Sequence, residues 1–241
     1  MKLRRSALSL LAIAALAALP VLAIAQSLAY SGNSSTTESA SVSSPLLPPA
    51  PAYSRPSEKT KLRNYFFDAF GPYPIVGAAF AAGINQLDNT PPEWGHGGKG
   101  FGERLGSDFG IAAVSTTTRY ALAAAFREDT LYYRCECKGL FPRLGHAVIS
   151  TFTARRGEDG HRVFALPALV APYASSMTAV YAWYPGRYDA EDAFRIGNYS
   201  LLAYVGGNIA LEFLYAGPHY SLLSRMHLNN GRAAPSPSSN P

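Results

Sequence analysis

The stretch Gly100 to Phe126, GFGERLGSDFGIAAVSTTTRYALAAAF, decides the fold prediction because its residue types repeat with a helical period. At about 100° per residue, its small residues fall within an arc of about 80° and its polar residues within about 60° on the opposite side. The small residues are Gly102, Gly106, Gly110, Ala113, Thr117 and Ala124, and the polar residues are Arg104, Asp108, Ser115 and Arg119. Two faces of opposite character predict a helix.

The small face of this helix predicts close packing against another helix. Gly102, Gly106 and Gly110 are spaced four apart, which is the small-xxx-small pattern that lets two backbones approach in membrane helices. The alternative is a loop that leads into a shorter helix, because each glycine inside a helix costs about 1 kcal/mol relative to alanine.

Charged residues are scarce in the whole chain. They make up 15% of its 241 residues, whereas about a quarter is usual for a soluble domain. A membrane surface or a partner protein would cover the apolar side chains that so little charge leaves exposed. The net charge of +5 includes Lys2, Arg4 and Arg5 at the N-terminus.

The first 25 residues predict a secretory signal peptide. Three cations precede an apolar run that ends in Ala23-Ile24-Ala25, a typical cleavage site, so the mature chain would begin at Gln26 in the periplasm or the cell-envelope membrane. An uncleaved anchor helix is the alternative. Without these residues the net charge is +5 − 3 = +2, too small for an electrostatic footprint on nucleic acid.

The rest of the chain divides by composition into three parts. Residues 26–57 contain ten serines and five prolines and predict a flexible tether. Residues 58–232 form the predicted helical domain. Residues 233–241, rich in serine and proline, predict a disordered tail.

The predicted architecture is all-α, a bundle of about five helices. They lie near Glu58 to Phe70, Ile75 to Leu87, Gly100 to Phe126, Leu140 to Ala154, and Asp192 to Tyr215, with Val163 to Tyr184 as a broken or additional helix. The charge-poor stretches 163–184 and 196–215 favour association with, or embedding in, a membrane. An antiparallel β-barrel is the alternative, since tyrosine and phenylalanine are abundant, but the long stretches lack period-two alternation.

Cofactor motifs are formally present but out of context. Gly95, Gly97 and Gly100 satisfy G-x-G-x-x-G, yet Asn89-Thr90-Pro91-Pro92 precedes them where a dinucleotide site needs a strand. We therefore expect no bound cofactor and interpret the segment as a turn.

Cys135 and Cys137 are the only cysteines, in a chain predicted to enter an oxidising compartment. Unpaired structural thiols, a local or intermolecular disulfide, and a metal or redox site are all open. His146 would be the third ligand of such a metal site, but no paired-ligand spacing supports it, so we expect no metal.

Candidate catalytic residues are few, because the chain lacks G-x-S-x-G and H-E-x-x-H. His146 is the best candidate for a general base, with Glu128 and Asp129 as candidate carboxylates. The alternative for His146 is a capping or interfacial histidine.

An isolated acidic residue in the last predicted helix suggests a buried ion pair. Glu212 is the only charge in residues 196–224, and Arg119 is the only charge in residues 109–126. A desolvated carboxylate is stabilised by a guanidinium, so we predict that Arg119 and Glu212 form a buried polar pair. The alternative is that each side chain reaches water separately.

Several short motifs in the chain occur in a fixed order. They are Trp94-Gly95, Gly100-Phe101-Gly102-Glu103-Arg104-Leu105-Gly106, Glu128-Asp129 with Tyr132 and Tyr133, Gly145-His146-Ala147, Ala182-Trp183-Tyr184-Pro185 and Glu212-Phe213. In these motifs, over most of residues 85–213, the chain resembles a family of uncharacterised exported bacterial proteins. Its relatives carry Glu-Asp-Pro-Arg-Tyr where this chain has Glu128-Asp129-Thr130-Leu131-Tyr132. The resemblance implies a shared scaffold or site and no particular activity.

Two classes of function follow from the sequence. The first is an exported, membrane-associated, non-enzymatic envelope protein whose partner is membrane lipid, another envelope protein or a second copy of the chain. The second is a periplasmic or membrane-associated hydrolase that uses Glu128, Asp129 and His146. Convergence of these three side chains in a deep cleft would favour the hydrolase, and a flat apolar belt would favour the envelope protein.

Overall fold

Helices dominate the structure, a computed structural model that describes residues 53–135, 137–214 and 233–234. In that part of the chain the helices are α1 (Glu58–Phe70), α2 (Pro72–Leu87), α3 (Gly97–Phe126), α4 (Leu140–Phe152), α5 (Leu166–Ala182) and α6 (Ala190–Leu214). The strands are β1 (Tyr132–Tyr133), β2 (Thr153–Arg156), β3 (His161–Phe164) and β4 (Ala233–Ala234). The all-α prediction is confirmed.

Local sequence signals explain most helix ends. The Ser57 hydroxyl caps α1 by accepting a hydrogen bond from the Thr60 amide at 3.3 Å. Helix α2 begins at Pro72, three residues before the prediction, because proline is well suited to a first helical turn. The stretch 163–184, predicted as a broken or additional helix, contains one additional helix, α5, which includes Pro172 and follows strand β3.

A β-hairpin between α4 and α5 was not predicted. Strands β2 and β3 are antiparallel, with Thr153 opposite Phe164 and Arg156 opposite His161. Gly157 and Gly160 at the turn have φ values of 74° and 67°, a left-handed conformation that glycine adopts readily. Helix α4 therefore ends at Phe152, and the predicted helical residues 153 and 154 belong to β2.

Some predictions concern chain ends that the structure covers only in part. The signal peptide, the start at Gln26, the tether up to residue 52 and the predicted end of the last helix at Tyr215 lie outside the described residues. The described end of the tether, residues 53–57, lies against the hairpin, where Arg55 forms a salt bridge with Glu158 at 3.2 Å. Ala233 and Ala234 of the predicted disordered tail pair with β1 as a parallel strand.

Helix α3 is central and packs against α1, α2 and α5, but with the face opposite to the predicted one. Arg104, Ser107 and Ile111 of its polar side are buried. Gly102 and Gly106 are exposed, and a methyl group added to either would meet no atom within 4 Å. Of the predicted packing glycines, only Gly110 has a close neighbour, because a methyl group added to it would lie 3.4 Å from the Trp183 ring. The predicted glycine packing between helices is therefore wrong, because the polar stripe of α3 lies inside.

The interior is built from small and polar residues. Among the described residues, ten of the fourteen buried apolar residues are alanines, which lets the helices lie close together. The largest fully buried side chains in that part of the chain are Arg104 and Glu212. Large apolar side chains lie outside, with Val76 67% exposed and Phe141 82% exposed. Among the described residues, no helix is both long enough and apolar enough to cross a bilayer.

Arg104 organises the loop between α2 and α3. Its guanidinium donates five hydrogen bonds of 2.7 to 3.2 Å, all to uncharged oxygens. The acceptors are the carbonyls of Thr90, Pro91 and Gly95 and the side-chain oxygens of Gln86 and Asn89. A side chain at Gly100 would come within 2.4 Å of the Gly95 carbonyl oxygen, so glycine is required for this approach.

Asp108 lies one turn after Arg104 and titrates in an unusual range. Burial raises its pKa to about 7, although the Asn85 amide donates to it at 3.1 Å and Arg104 favours its charged form. In the folded state the carboxyl is protonated at pH values where the unfolded chain is ionised. Its contribution to the free energy of unfolding is therefore fully present below about pH 4 and is lost as the pH rises through about 7.

We expect Asp108→Asn to weaken this pH dependence. The amide keeps an oxygen that can accept from Asn85 but cannot ionise, so the variant should gain stability relative to wild type between pH 4 and pH 8, by on the order of 1 kcal/mol or more. Denaturant unfolding at both pH values measures the difference. The exposed Glu191→Gln variant is the control and should keep the wild-type pH dependence. Equal pH dependence in wild type and Asp108→Asn would contradict the prediction.

Candidate functional site

A small polar cavity of about 40 Å³ lies between α3, α4, α5 and α6, large enough for two or three water molecules. Its polar lining includes Asp68, Arg119, Glu128, Asp129, Ser150, Thr151, Tyr204 and Asn208. A second cavity of about 80 Å³ shares Asp68, Arg119, Ala168 and Tyr204 with the first. Polar space therefore lies on both sides of the Asp68–Arg119 contact.

Glu128 and Asp129 line the cavity, but each is engaged by other partners. Arg156 Nη2 donates to Glu128 Oε1 at 2.8 Å. Asp129 accepts from the hydroxyls of Tyr53 at 3.2 Å and Tyr133 at 2.5 Å. Burial, followed by the negative charge of Asp129, raises the pKa of Tyr133, so its hydroxyl keeps its proton. These contacts fasten the segment before α1 and the β-hairpin to the end of α3.

Arg119 is half-buried, and its partner is not Glu212. Its Nη2 lies 3.4 Å from Asp68 Oδ2, and its Nη1 donates to the Tyr204 hydroxyl at 2.5 Å. Tyr120 donates to the same Asp68 oxygen at 2.9 Å. The predicted Arg119–Glu212 pair is therefore wrong. The sequence showed no carboxylate near Arg119 because Asp68 comes from α1, 51 residues earlier.

Glu212 is fully buried and accepts hydrogen bonds at both carboxylate oxygens. Arg143 Nε donates to Oε1 at 3.0 Å, and the Tyr132 hydroxyl and the Cys135 amide donate to Oε2 at 2.8 and 3.1 Å. Arg143 also donates to the main-chain carbonyl of Glu212 and lies over the Phe213 ring at 4.4 Å. Glu212 is thus paired with a guanidinium, but with that of Arg143 on α4 instead of that of Arg119 on α3.

His146 lies beside this group but apart from Glu128 and Asp129. Its Nδ1 is 3.4 Å from the Tyr132 hydroxyl and 3.8 Å from Glu212 Oε2, and its Nε2 is 3.4 Å from the Ser150 hydroxyl. The convergence of Glu128, Asp129 and His146 that would favour the alternative hydrolase is therefore not found. The carboxylates of Glu128 and Asp129 are hydrogen-bonded to Arg156 and to two tyrosines, whereas the His146 imidazole lies beside the carboxylate of Glu212.

Ser150 is the residue that sequence reasoning missed. It lines the cavity and contacts His146 from one helical turn further along α4. A spacing of four on a predicted helix places two side chains on one face, and this signal was available in the sequence.

The cysteines contribute to the site through the backbone. Cys135 and Cys137 are joined by a disulfide, and the Cys135 amide donates to Glu212. Cys135, Cys137 and His146 do not form a metal site, because no group of three or more His, Cys, Asp or Glu side chains in the described part of the chain could hold a metal ion.

Comparison with known proteins gives no further guide to this site. The chain matches no protein family, no curated protein and no solved structure.

Proposed function

We propose that this is an exported, membrane-associated protein of the cell envelope, whose apolar outer surface binds lipid and whose polar residues are enclosed by its helices. The observation that carries this proposal is the inverted distribution of side chains. Arg104 and Glu212 are fully buried, whereas each of the six described helices carries at least one large apolar side chain that is 40% or more exposed. In water such a surface is costly, and a lipid environment removes that cost.

Helix α1 shows how the surface suits a lipid headgroup layer. Its exposed face carries Lys59 and Arg63 near the N-terminal end, with Leu62, Phe66 and Phe70 extending toward the C-terminal end. Cations can contact lipid phosphates while the apolar residues enter the acyl boundary, as in helices that lie in a membrane interface. Phe66 and Leu62 are 55% and 58% exposed, so both are available for this contact.

The proposed role at the membrane is the binding of lipid. Export rests on the signal-like residues 1–25, and membrane association rests on the exposed apolar side chains. Either part can be tested without the other.

We expect purified protein to float with vesicles of phosphatidylglycerol and phosphatidylethanolamine in a density gradient. The triple variant Leu62→Ser, Phe66→Ser, Phe70→Ser should bind at least tenfold more weakly. That change corresponds to about 1.4 kcal/mol, and burial of even one such side chain contributes about 1.5 to 3 kcal/mol.

The matched control replaces the same residues by other apolar ones, Leu62→Ile, Phe66→Leu and Phe70→Leu. It should bind vesicles within a few-fold of wild type. Wild-type protein that stays at the bottom of the gradient would overturn the proposed membrane association. Equal flotation of the serine variant would show that α1 is not the contact surface.

A further inference from the structure

Ser150 and His146 form a nucleophile and base arrangement at the cavity. The Ser150 hydroxyl lies 3.4 Å from His146 Nε2, and Ser150 faces the cavity while the imidazole lies behind it on the preceding turn of α4. Such contacts are often longer before substrate binds than in the reacting complex.

The neighbouring hydrogen bonds indicate which nitrogen of the His146 imidazole carries the proton. The Tyr132 hydroxyl donates its one hydrogen to Glu212 Oε2 at 2.8 Å, so its oxygen can only accept from His146 Nδ1. Glu212 Oε2, 3.8 Å from the same nitrogen, also favours a proton on Nδ1. The imidazole thus keeps its lone pair on Nε2, facing Ser150. This is the tautomer that a general base for serine requires.

The surroundings keep the imidazole neutral and ready to accept a proton. Burial lowers the pKa of His146, Arg155 and Arg162 act in the same direction, and Glu212 opposes them. Arg143 balances the charge of Glu212 at 3.0 Å. A neutral imidazole near pH 7 can take the serine proton, and the nearby carboxylate can stabilise the imidazolium that results.

We propose that Ser150 is a catalytic nucleophile, with His146 as its general base, for the hydrolysis of small acyl esters. The Ser150 oxygen attacks the ester carbonyl carbon while its proton passes to His146 Nε2. The tetrahedral intermediate breaks its carbon–oxygen bond to the alcohol, which leaves with that proton. Water, deprotonated by His146, then attacks the acyl-serine, and the carboxylic acid departs as Ser150 regains its proton.

The cavity limits the substrate class. Its volume of about 40 Å³, room for two or three water molecules, restricts the acyl group to a few heavy atoms, such as acetyl. Asp68, Glu128 and Asp129 line the same cavity as Arg119, so carboxyl groups outnumber cationic side chains there. This composition favours uncharged or cationic esters over anionic ones. The activity is independent of the proposed membrane association.

Methanesulfonyl fluoride is a probe small enough for this cavity, and it sulfonylates an activated serine with release of fluoride. We expect the full chain in mild detergent to gain one sulfonyl group, located at Ser150 by peptide mass mapping. It should also release 4-nitrophenol from 4-nitrophenyl acetate. Ser150→Ala should abolish both, and His146→Gln should slow both at least a hundredfold, within the range for loss of general-base catalysis of about 10² to 10⁴.

Ser200→Ala is the matched control, since Ser200 lines the second cavity and donates to the Ile196 carbonyl at 3.1 Å. It should react like wild type. Circular dichroism shows whether each variant is folded. If Ser150→Ala does not fold, the position of the sulfonyl label in the wild-type chain decides whether Ser150 is the nucleophile. A wild-type chain with no label, or with its label on another residue, would overturn the proposal, as would unchanged ester hydrolysis in folded Ser150→Ala.

Discussion

We expect Arg104→Met to lower the free energy of unfolding by about 3 to 5 kcal/mol, because each buried oxygen left without a donor costs about 1 to 3 kcal/mol and the loop relaxes only in part. In the wild type, the guanidinium donates to four uncharged oxygens of the loop between α2 and α3 and to the side-chain oxygen of Gln86 at the end of α2. Methionine fills a similar volume without donating a hydrogen bond. Denaturant unfolding in mild detergent measures the loss.

Two further variants test whether the loss of the Arg104 hydrogen bonds causes the lower free energy of unfolding. Arg104→Lys keeps the charge but has three donors on one nitrogen, so it should recover only part of the stability. Arg195→Met removes an exposed arginine paired with Asp192 and should change stability by less than about 0.5 kcal/mol. An Arg104→Met variant within 1 kcal/mol of wild type, an effect near the average for point mutants, would contradict the expected role.

The second large effect is expected at Glu212 and Arg143. Arg143→Met removes the cation that faces a fully buried carboxylate, and such a loss typically costs about 3 to 5 kcal/mol. The double variant Arg143→Met, Glu212→Leu removes both charges and should recover much of that loss. A double-mutant cycle on unfolding free energies gives the coupling between the two residues.

The cycle of Arg119→Met with Glu212→Leu is the matched control. Arg119 contacts Asp68 and Tyr204, whereas Glu212 contacts Arg143 and Tyr132, so the two residues share no partner among these contacts. We expect their effects to add within about 0.5 kcal/mol. Additive effects of Arg143→Met and Glu212→Leu, or strong coupling between Arg119→Met and Glu212→Leu, would contradict the pairing of Glu212 with Arg143 and of Arg119 with Asp68.

The helices could be predicted because their limits have local causes. The helical period of residues 100–126 is visible in the sequence, and Ser57 caps α1 through a contact within three residues. The hairpin was missed because its strands are only four residues long, lie next to helices, and do not alternate between apolar and polar residues as a half-buried strand does.

The orientation of α3 could not be predicted from its period. Periodicity separates two faces but does not say which one lies inside, and the usual rule places the polar face outside. Here Arg104 is buried because carbonyl groups of a neighbouring loop surround it, and Gly102 is exposed. The rule fails when the interior supplies hydrogen-bond acceptors.

Two charged residues of the site could be predicted individually, but their partners could not. Glu212 and Arg119 were identified because each is an isolated charge in an apolar stretch. Their partners, Arg143 and Asp68, lie 69 and 51 positions away in the chain, and only the packing of the helices brings them close. Contacts over such distances have no periodic signature in one sequence.

The alanine-rich interior has a consequence for the temperature dependence of stability. The heat capacity change of unfolding grows with the apolar area that unfolding newly exposes and falls with newly exposed polar area. In this chain many large apolar side chains are already outside in the folded state, and the groups that unfolding uncovers are largely alanine methyls and hydrogen-bonded polar atoms. We therefore expect a heat capacity increment per residue below the value of about 12 to 15 cal/mol/K that is usual for globular proteins. A smaller increment flattens the curve of unfolding free energy against temperature and moves heat and cold unfolding further apart.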